Sequence, residues 1–278
     1  MSGTPILDDH LHLDPDRGRG LEAVEEFANA GGTHLIVINR PSWGIVDAVD
    51  GGEDFRPVFE RTLGVVESAS DALPGRAWAM LGVHPACIGR LTDDGGYTPA
   101  EAGAIMREGL EVAAEYVERG EALGLKSGRP HWETTETIRD VSNGVMRHAF
   151  ALGAALDCPV QLHTEDTEEL EDVAEWAETA GLARERVVKH FARGRLSGPI
   201  PSVISRREEL ERAAERGAPF LMETDFLDDP DRPGAVLGPK TVPRRVAWLR
   251  EEGYDEAIRT AHVETPRLVY GIDTEATL

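Results

Sequence analysis

The sequence predicts a single parallel (β/α)8 TIM-type barrel of the α/β class, occupying residues 1–278 as one domain. Three observations carry this expectation. Short apolar runs alternate with amphipathic stretches eight times, the pattern of parallel strands that are each covered by a following helix. The length of 278 residues suits one large barrel or two small domains, and no linker, internal repeat or low-complexity tract divides it. Histidine, lysine and aspartate stand at the C-terminal ends of several of the apolar runs, the end at which such barrels carry their chemistry.

The first strand is expected from Pro5 to His12, followed by a turn rich in Asp, Pro, Gly and Arg from Asp14 to Gly20. Leu21, Val24 and Phe27-Ala28 have helical spacing, and Gly31-Gly32 ends that helix. The β-branched run from His34 to Asn39 reads as a buried strand. Residues 41–52 form a loop, 55–73 a helix closed by Pro74-Gly75, and 77–83 a third strand with His84-Pro85 at its end. A Gly- and Asp-rich loop leads to a long helix from Pro99 to Glu118. The fourth strand, 122–127, ends in Lys126-Ser127-Gly128-Arg129-Pro130-His131. A helix over 134–156, a fifth strand from Val160 to His163 and a helix over 166–180 come next. The sixth strand is Val187 to Phe191, and the seventh, 201–205, has the weakest pattern of the eight. A charged helix to Gly217, an eighth strand from Phe220 to Asp225 and helices over 241–252 and 255–270 complete the chain.

Charge is the unusual feature of the composition. Fifty-one acids face 29 bases, for a net charge of −22, and only Lys126, Lys189 and Lys240 among the bases are lysines. Acid excess with scarce lysine resembles proteins of salt-loving archaea, although a GC-rich genome also favours Arg over Lys. At molar salt the Debye length falls to about 3 Å, so the charge does not exclude a phosphate-bearing substrate or a nucleic acid. Cys87 and Cys158 do not make a disulfide framework. No run has the length of a membrane span and the N-terminus lacks a basic start before an apolar block, so no membrane partner and a cytoplasmic location are expected.

His10 and His12 lie two apart on the first strand and therefore project to one side, where two imidazoles can grip one divalent ion. A lone His-x-His is more often a surface accident, and a lone His in an apolar strand is more often a satisfied core residue. Here Lys126, His163, His190 and Asp225 stand at the ends of the fourth, fifth, sixth and eighth strands. Convergence of residues distant in sequence makes metal binding the better reading. Asp225 has the alternative role of a helix N-cap. Arg129 is balanced between a bidentate phosphate clamp and a salt bridge. His84 and His131 are pocket residues, and Glu165 and Glu223 are acceptors that hold ligands in place. His34, His148 and His262 are expected to have no catalytic role.

His10-x-His12, Val83-His84-Pro85, His163, His190 and Glu223-Thr224-Asp225, in that order, resemble the TatD-type metal-dependent hydrolases of the amidohydrolase superfamily. Gly128-Arg129-Pro130-His131 and the run from Glu223 to Pro230 resemble an archaeal branch of it. The resemblance implies two divalent ions, one held by His10, His12 and Asp225 and the other by His163 and His190. It also implies a strand-four carboxylate, usually Glu, where this chain has Lys126. Other members of the superfamily carry there a lysine that has reacted with CO2, so a carbamylated Lys126 is expected, with an unmodified ammonium and a single metal as the alternative. The ligand types suit Zn, Mn or Fe, and Mg if water completes the shell. The implied activity is deoxyribonuclease-like hydrolysis of a phosphoester, with nucleic acid ends among the substrates and Asp225 as proton acceptor. Hydrolysis of an amide or lactone is the alternative, and a metal-binding scaffold without catalysis is the alternative of another class.

Overall fold

The computed structural model describes residues 3–232, Gly234 and 236–278. Among them the strands are β1 (Leu7–His12), β2 (His34–Ile38), β3 (Ala77–Gly82), β4 (Gly124–Gly128), β5 (Val160–His163), β6 (Val187–Ala192), β7 (Ile200–Ile204), β8 (Leu221–Glu223) and β9 (Phe226–Leu227). They form one sheet in the order β8-β7-β6-β5-β4-β3-β2-β1-β9, and every pairing is parallel. The two ends of that order, β8 and β9, are separated in sequence only by Thr224 and Asp225. The sheet therefore curls back on itself, as the barrel prediction requires.

Both faces of the strands are buried, which explains their near-continuous apolar runs. Leu7, Ile36, Ile38, Met80, Val188 and Leu221 pack together with Val269 and Tyr270 of the final helix. The alternate residues Leu35, Val37, Ala79, Leu81, Leu125 and Leu162 pack with Phe27, Phe59, Leu110 and Phe150 of the helices. Period-two alternation thus divides each strand between an inner cluster and a strand–helix layer.

The helix Pro99–Glu118 begins as predicted, and its start is fixed locally. Thr98 accepts from the Glu101 amide, the Glu101 carboxylate accepts from the Thr98 amide, and Pro99 fills the first position, where no N–H is needed.

Four expectations change in detail. The eighth strand is not continuous: it breaks at Thr224-Asp225, where Asp225 takes a left-handed φ of 48°. No helix starts at Asp225, since β9 follows it, so the N-cap role is excluded. The helix expected over 166–180 begins only at Glu171, because Glu169 bridges to Ser197 in extended form. The helix expected over 255–270 is interrupted by a wide turn, Thr260–Glu264. Pro266 has no N–H to give to the carbonyl four residues back, and the Thr274 hydroxyl donates to that His262 carbonyl instead, at 2.7 Å.

The end of β4 depends on glycine. Gly128 has φ 153°, and a Cβ there would come within 1.9 Å of the His163 carbonyl oxygen. Close approach of β4 and β5 at this level, with Gly128 in register with His163, holds Lys126 and His163 on neighbouring strands. No helix among the described residues is long and apolar enough to cross a membrane.

Candidate metal centre

The kink at Asp225 turns the eighth strand away from β7 and onto β1. Its amide donates to the His10 carbonyl at 2.9 Å, and the Asp228 amide donates to the His12 carbonyl at 3.1 Å. The Asp225 carboxylate is thereby delivered to the β1 histidines. Its Oδ1 lies 3.9 Å from His10 Nε2 and 3.8 Å from His12 Nε2. Ligand atoms around a tetrahedral ion with bonds near 2.0–2.1 Å sit about 3.3 Å apart, so each of these two carboxylate–imidazole pairs is about half an ångström wider than a metal-bound pair.

The other ring nitrogens are occupied. His12 Nδ1 is 3.0 Å from the Ile38 carbonyl, which can only accept, so Nδ1 carries the hydrogen and Nε2 presents its lone pair. His10 Nδ1 is 2.7 Å from Gln161 Oε1.

The second set adjoins the first. The His190 ring stacks on His10 with centroids 3.9 Å apart, and ligand atoms of His10, His190 and Asp225 all lie within 4.8 Å of one another. His163 Nδ1 faces His190 Nε2 at 2.7 Å, and His163 Nε2 faces His131 Nδ1 at 2.7 Å. His84 packs on the His163 ring with centroids 4.6 Å apart. Glu223, fully buried, accepts from the Phe191 amide at 2.8 Å and lies 3.4 Å from His190 Nδ1. Phe191 itself has a left-handed φ of 51°. Backbone strain at Asp225 and Phe191 thus sits beside two of the converging side chains.

Burial governs the electrostatics. It pushes the histidine pKa values down, His12 to about 4 and His84 to about 3, with His10, His163 and His190 well below the ordinary value. Neutral imidazoles are the metal-binding form. Burial also raises Asp225 to about 6 and Glu223 well above the carboxylate range, and it lowers Lys126 to about 7.

Of the residues singled out in the sequence, His10, His12, His163, His190 and Asp225 converge, with Lys126 buried among the charges that act on them. His84, His131 and Glu223 surround them. Arg129 and Glu165 meet each other: Nε donates to Glu165 Oε2 at 2.8 Å and Nη2 to Oε1 at 2.5 Å. His34 begins β2 and contacts Thr33 and Thr277, His148 pairs with Glu111, and His262 accepts the Leu7 amide.

Three residues near the centre escaped the sequence reading. Gln161 is a polar residue in an apolar strand two positions before His163, which is a readable signal. Lys189, one of the three lysines, is buried beside His190 and lines a cavity of about 250 Å³ with His131, His163, Thr164, Asp166, His190, Phe191 and Asp225. Tyr270 gave no local signal, because its hydroxyl acts on residues more than one hundred positions away.

Donor chemistry fits a divalent ion. Among the described residues, His10 Nε2, Lys126 Nζ and Glu223 Oε2 are buried side-chain atoms without a hydrogen-bond partner. Each such group costs about 1–3 kcal/mol if left unsatisfied. A bound cation would satisfy the imidazole nitrogen and oppose the carboxylate charge.

The model of the TatD-related DNase family matches residues 7–270. The chain belongs to that family. An uncharacterized protein of Methanocaldococcus jannaschii is 32% identical over 287 residues, which is 99% of each chain. The TatD-like protein of Archaeoglobus fulgidus superposes with a TM-score of 0.59 at 18% identity, covering 96% of this chain and 100% of that one. The phosphotriesterase homology protein of Escherichia coli, solved with phosphate in its active site, gives 0.61 at 12% identity, covering 97% and 100%. These two likenesses are of fold. As a member of the TatD family the chain is a metal-dependent hydrolase that uses divalent metal, and His10, His190 and Asp225 form a His–His–Asp group that could hold such an ion.

Proposed function

We propose that this TatD-family protein hydrolyses a phosphoester at a dinuclear metal centre. His10, His12 and Asp225 would hold one ion, His163 and His190 the other, and Lys126 would bridge them as a carbamate. The supporting observation is the continuity of the two ligand sets: the stacked His10 and His190 rings bring them side by side. Ions so held supply Lewis acidity and an activated water.

Lys126 has the surroundings that carbamylation requires. Its amine is fully buried, lacks a partner and is pushed towards the neutral form by burial. A neutral amine adds to CO2, a C–N bond forms, one proton leaves, and the product is a carboxylate on a long stem. That restores the anionic ligand that the family otherwise places on this strand. Asp225, which faces both the histidines and the cavity, would take the proton of the attacking water.

Phosphate chemistry is supported by a second cavity beside β9. Arg17, Arg19, Lys240 and Arg244 contribute to its walls, about 560 Å³ in volume, beside Glu26, Asp228 and Asp229. Arg17 pairs with Asp231, and Arg19 and Lys240 with Glu26, so Arg244 is the cation there that would meet a phosphate first. A nucleic acid end is a substrate of matching charge. The pairing of Arg129 with Glu165 favours the second reading, an amide or lactone substrate, because it leaves that guanidinium less free for phosphate.

The test is metal content with and without bicarbonate, followed by a substrate screen. About two equivalents, bicarbonate-dependent, with a carbamate carbon visible after labelling with 13C-bicarbonate, is the expected result. One equivalent and an unmodified amine would sink the bridge. Turnover of lactones with none of phosphodiesters or phosphomonoesters would replace the substrate class.

A further inference from the structure

The two β1 histidines are oriented by different devices. His12 leans on a main-chain carbonyl, whereas His10 leans on the side chain of Gln161. An amide can present either an oxygen or a nitrogen, so what His10 meets depends on what fixes the amide.

Gln161 is fixed from its other end. Its Nε2 lies 3.0 Å from the Asp9 carbonyl, which only accepts, so the nitrogen must be on that side. The second amide hydrogen points to the Tyr270 hydroxyl at 2.8 Å. That hydroxyl spends its own hydrogen on Asp9 Oδ1 at 2.7 Å and so is free to accept. Nε2 also lies 3.3 Å from Asp9 Oδ2, so its surroundings are acceptors on that side, and Asp9, His10, Gln161 and Tyr270 are all buried. The amide cannot turn over without setting two donors or two acceptors against each other away from water.

Gln161 Oε1 therefore faces His10 Nδ1 at 2.7 Å as an acceptor. The hydrogen must sit on Nδ1, since two lone pairs at that distance repel. His10 Nε2, the atom that faces Asp225, is left as the lone-pair nitrogen.

We propose that Gln161, anchored by Tyr270 and the Asp9 carbonyl, is a positioning residue that locks His10 in its Nδ1–H tautomer and so sets the metal affinity of the His10–His12–Asp225 group. The lock ties the first strand to the last helix of the chain, since Tyr270 ends the helix Thr265–Tyr270. Its consequence for affinity rests on the metal-centre reading above; the tautomer itself does not.

The experiment has two readouts. Long-range 15N–1H correlation spectra of metal-free protein report the His10 tautomer directly. Competition against a chromophoric chelator reports Zn²⁺ affinity. Wild type is expected to show His10 wholly as Nδ1–H. Gln161→Met, which keeps the volume and removes the acceptor, is expected to mix the tautomers and weaken Zn²⁺ binding about 10–100-fold. Tyr270→Phe keeps the ring and removes the anchor, so it should show a smaller shift in the same direction. An Nε2–H tautomer in wild type overturns the proposal whether or not either variant folds. So does an unchanged tautomer and affinity in Gln161→Met. A locked tautomer in a wild-type protein that takes up no Zn²⁺ would leave the lock standing and remove the metal-centre reading.

Discussion

Asp225 holds His10 twice: its amide donates to the His10 carbonyl at 2.9 Å, and its carboxylate Oδ1 stands 3.9 Å from His10 Nε2. Barrel closure and the placement of this carboxylate are thus one device. The left-handed kink at Asp225 ends the pairing with β7, starts the pairing with β1, and aims the carboxylate inward.

Replacing Asp225 separates these roles. Asp and Asn both tolerate left-handed backbone, so Asp225→Asn should keep the fold. It also removes a buried carboxylate whose pKa burial raises to about 6, so the metal-free variant should unfold at the same temperature as wild type or higher. Hydrolytic turnover should fall about 10²–10⁴-fold, the usual contribution of a positioned acid or base. Asp225→Ala, with no such tolerance of φ 48°, should in addition lose about 1 kcal/mol against Asn. Urea unfolding of the three proteins, beside turnover, checks both statements.

Lys126→Met exchanges a buried, partnerless amine for an apolar chain of similar length. Removing an unsatisfied polar group should stabilise the metal-free protein by about 1–3 kcal/mol. The same change would delete the bridge proposed for Lys126, so metal content should drop by at least one equivalent. A variant less stable than wild type, with unaltered metal content, would show that Lys126 serves neither role.

The residues that made the fold legible were those with local consequences. Pro99 after Thr98, with Glu101 three residues on, states a helix start, and the run from His34 to Ile38 states a buried strand. The histidines were legible because strand ends gather them on one face. What sequence did not reveal depends on contacts made only in the folded state. The break at Asp225 follows from closing the sheet onto β1, and the pairing of Arg129 with Glu165 follows from the register of β4 and β5. The Gln161–Tyr270 bond spans 109 positions, a separation no local pattern reports.

Gly128→Ala tests the close approach of β4 and β5. With φ at 153° and a Cβ that would fall 1.9 Å from the His163 carbonyl oxygen, both the backbone and its neighbour must move. The strained backbone costs about 1–3 kcal/mol, and the overpacking costs a similar amount. A stability loss of about 2–6 kcal/mol in urea unfolding, with weakened metal binding through displaced His163, is expected. A neutral substitution would mean that β4 and β5 do not pack so closely.

His262 gives a pH dependence that can be isolated from the metal site. It is fully buried, its Nδ1 accepts the Leu7 amide at 3.1 Å, and burial lowers its pKa from 6.5 to about 3. Between those two values the unfolded chain binds a proton that the folded protein refuses. Stability therefore falls as pH falls, by up to about 1.4 kcal/mol per pH unit for one such group. The contribution is intact above about pH 6.5. Asp8 and Asp9 act in the opposite sense, because burial raises them to about 7 and about 8 and the folded protein takes up their protons first. The bare pH profile of stability mixes both effects, so the comparison must be with His262→Asn, which keeps an acceptor for Leu7 and cannot titrate. The unfolding free energy of wild type minus that of the variant should shrink steadily from pH 6 to pH 4. A difference that stays constant over this range would show that His262 is not the buried neutral imidazole described.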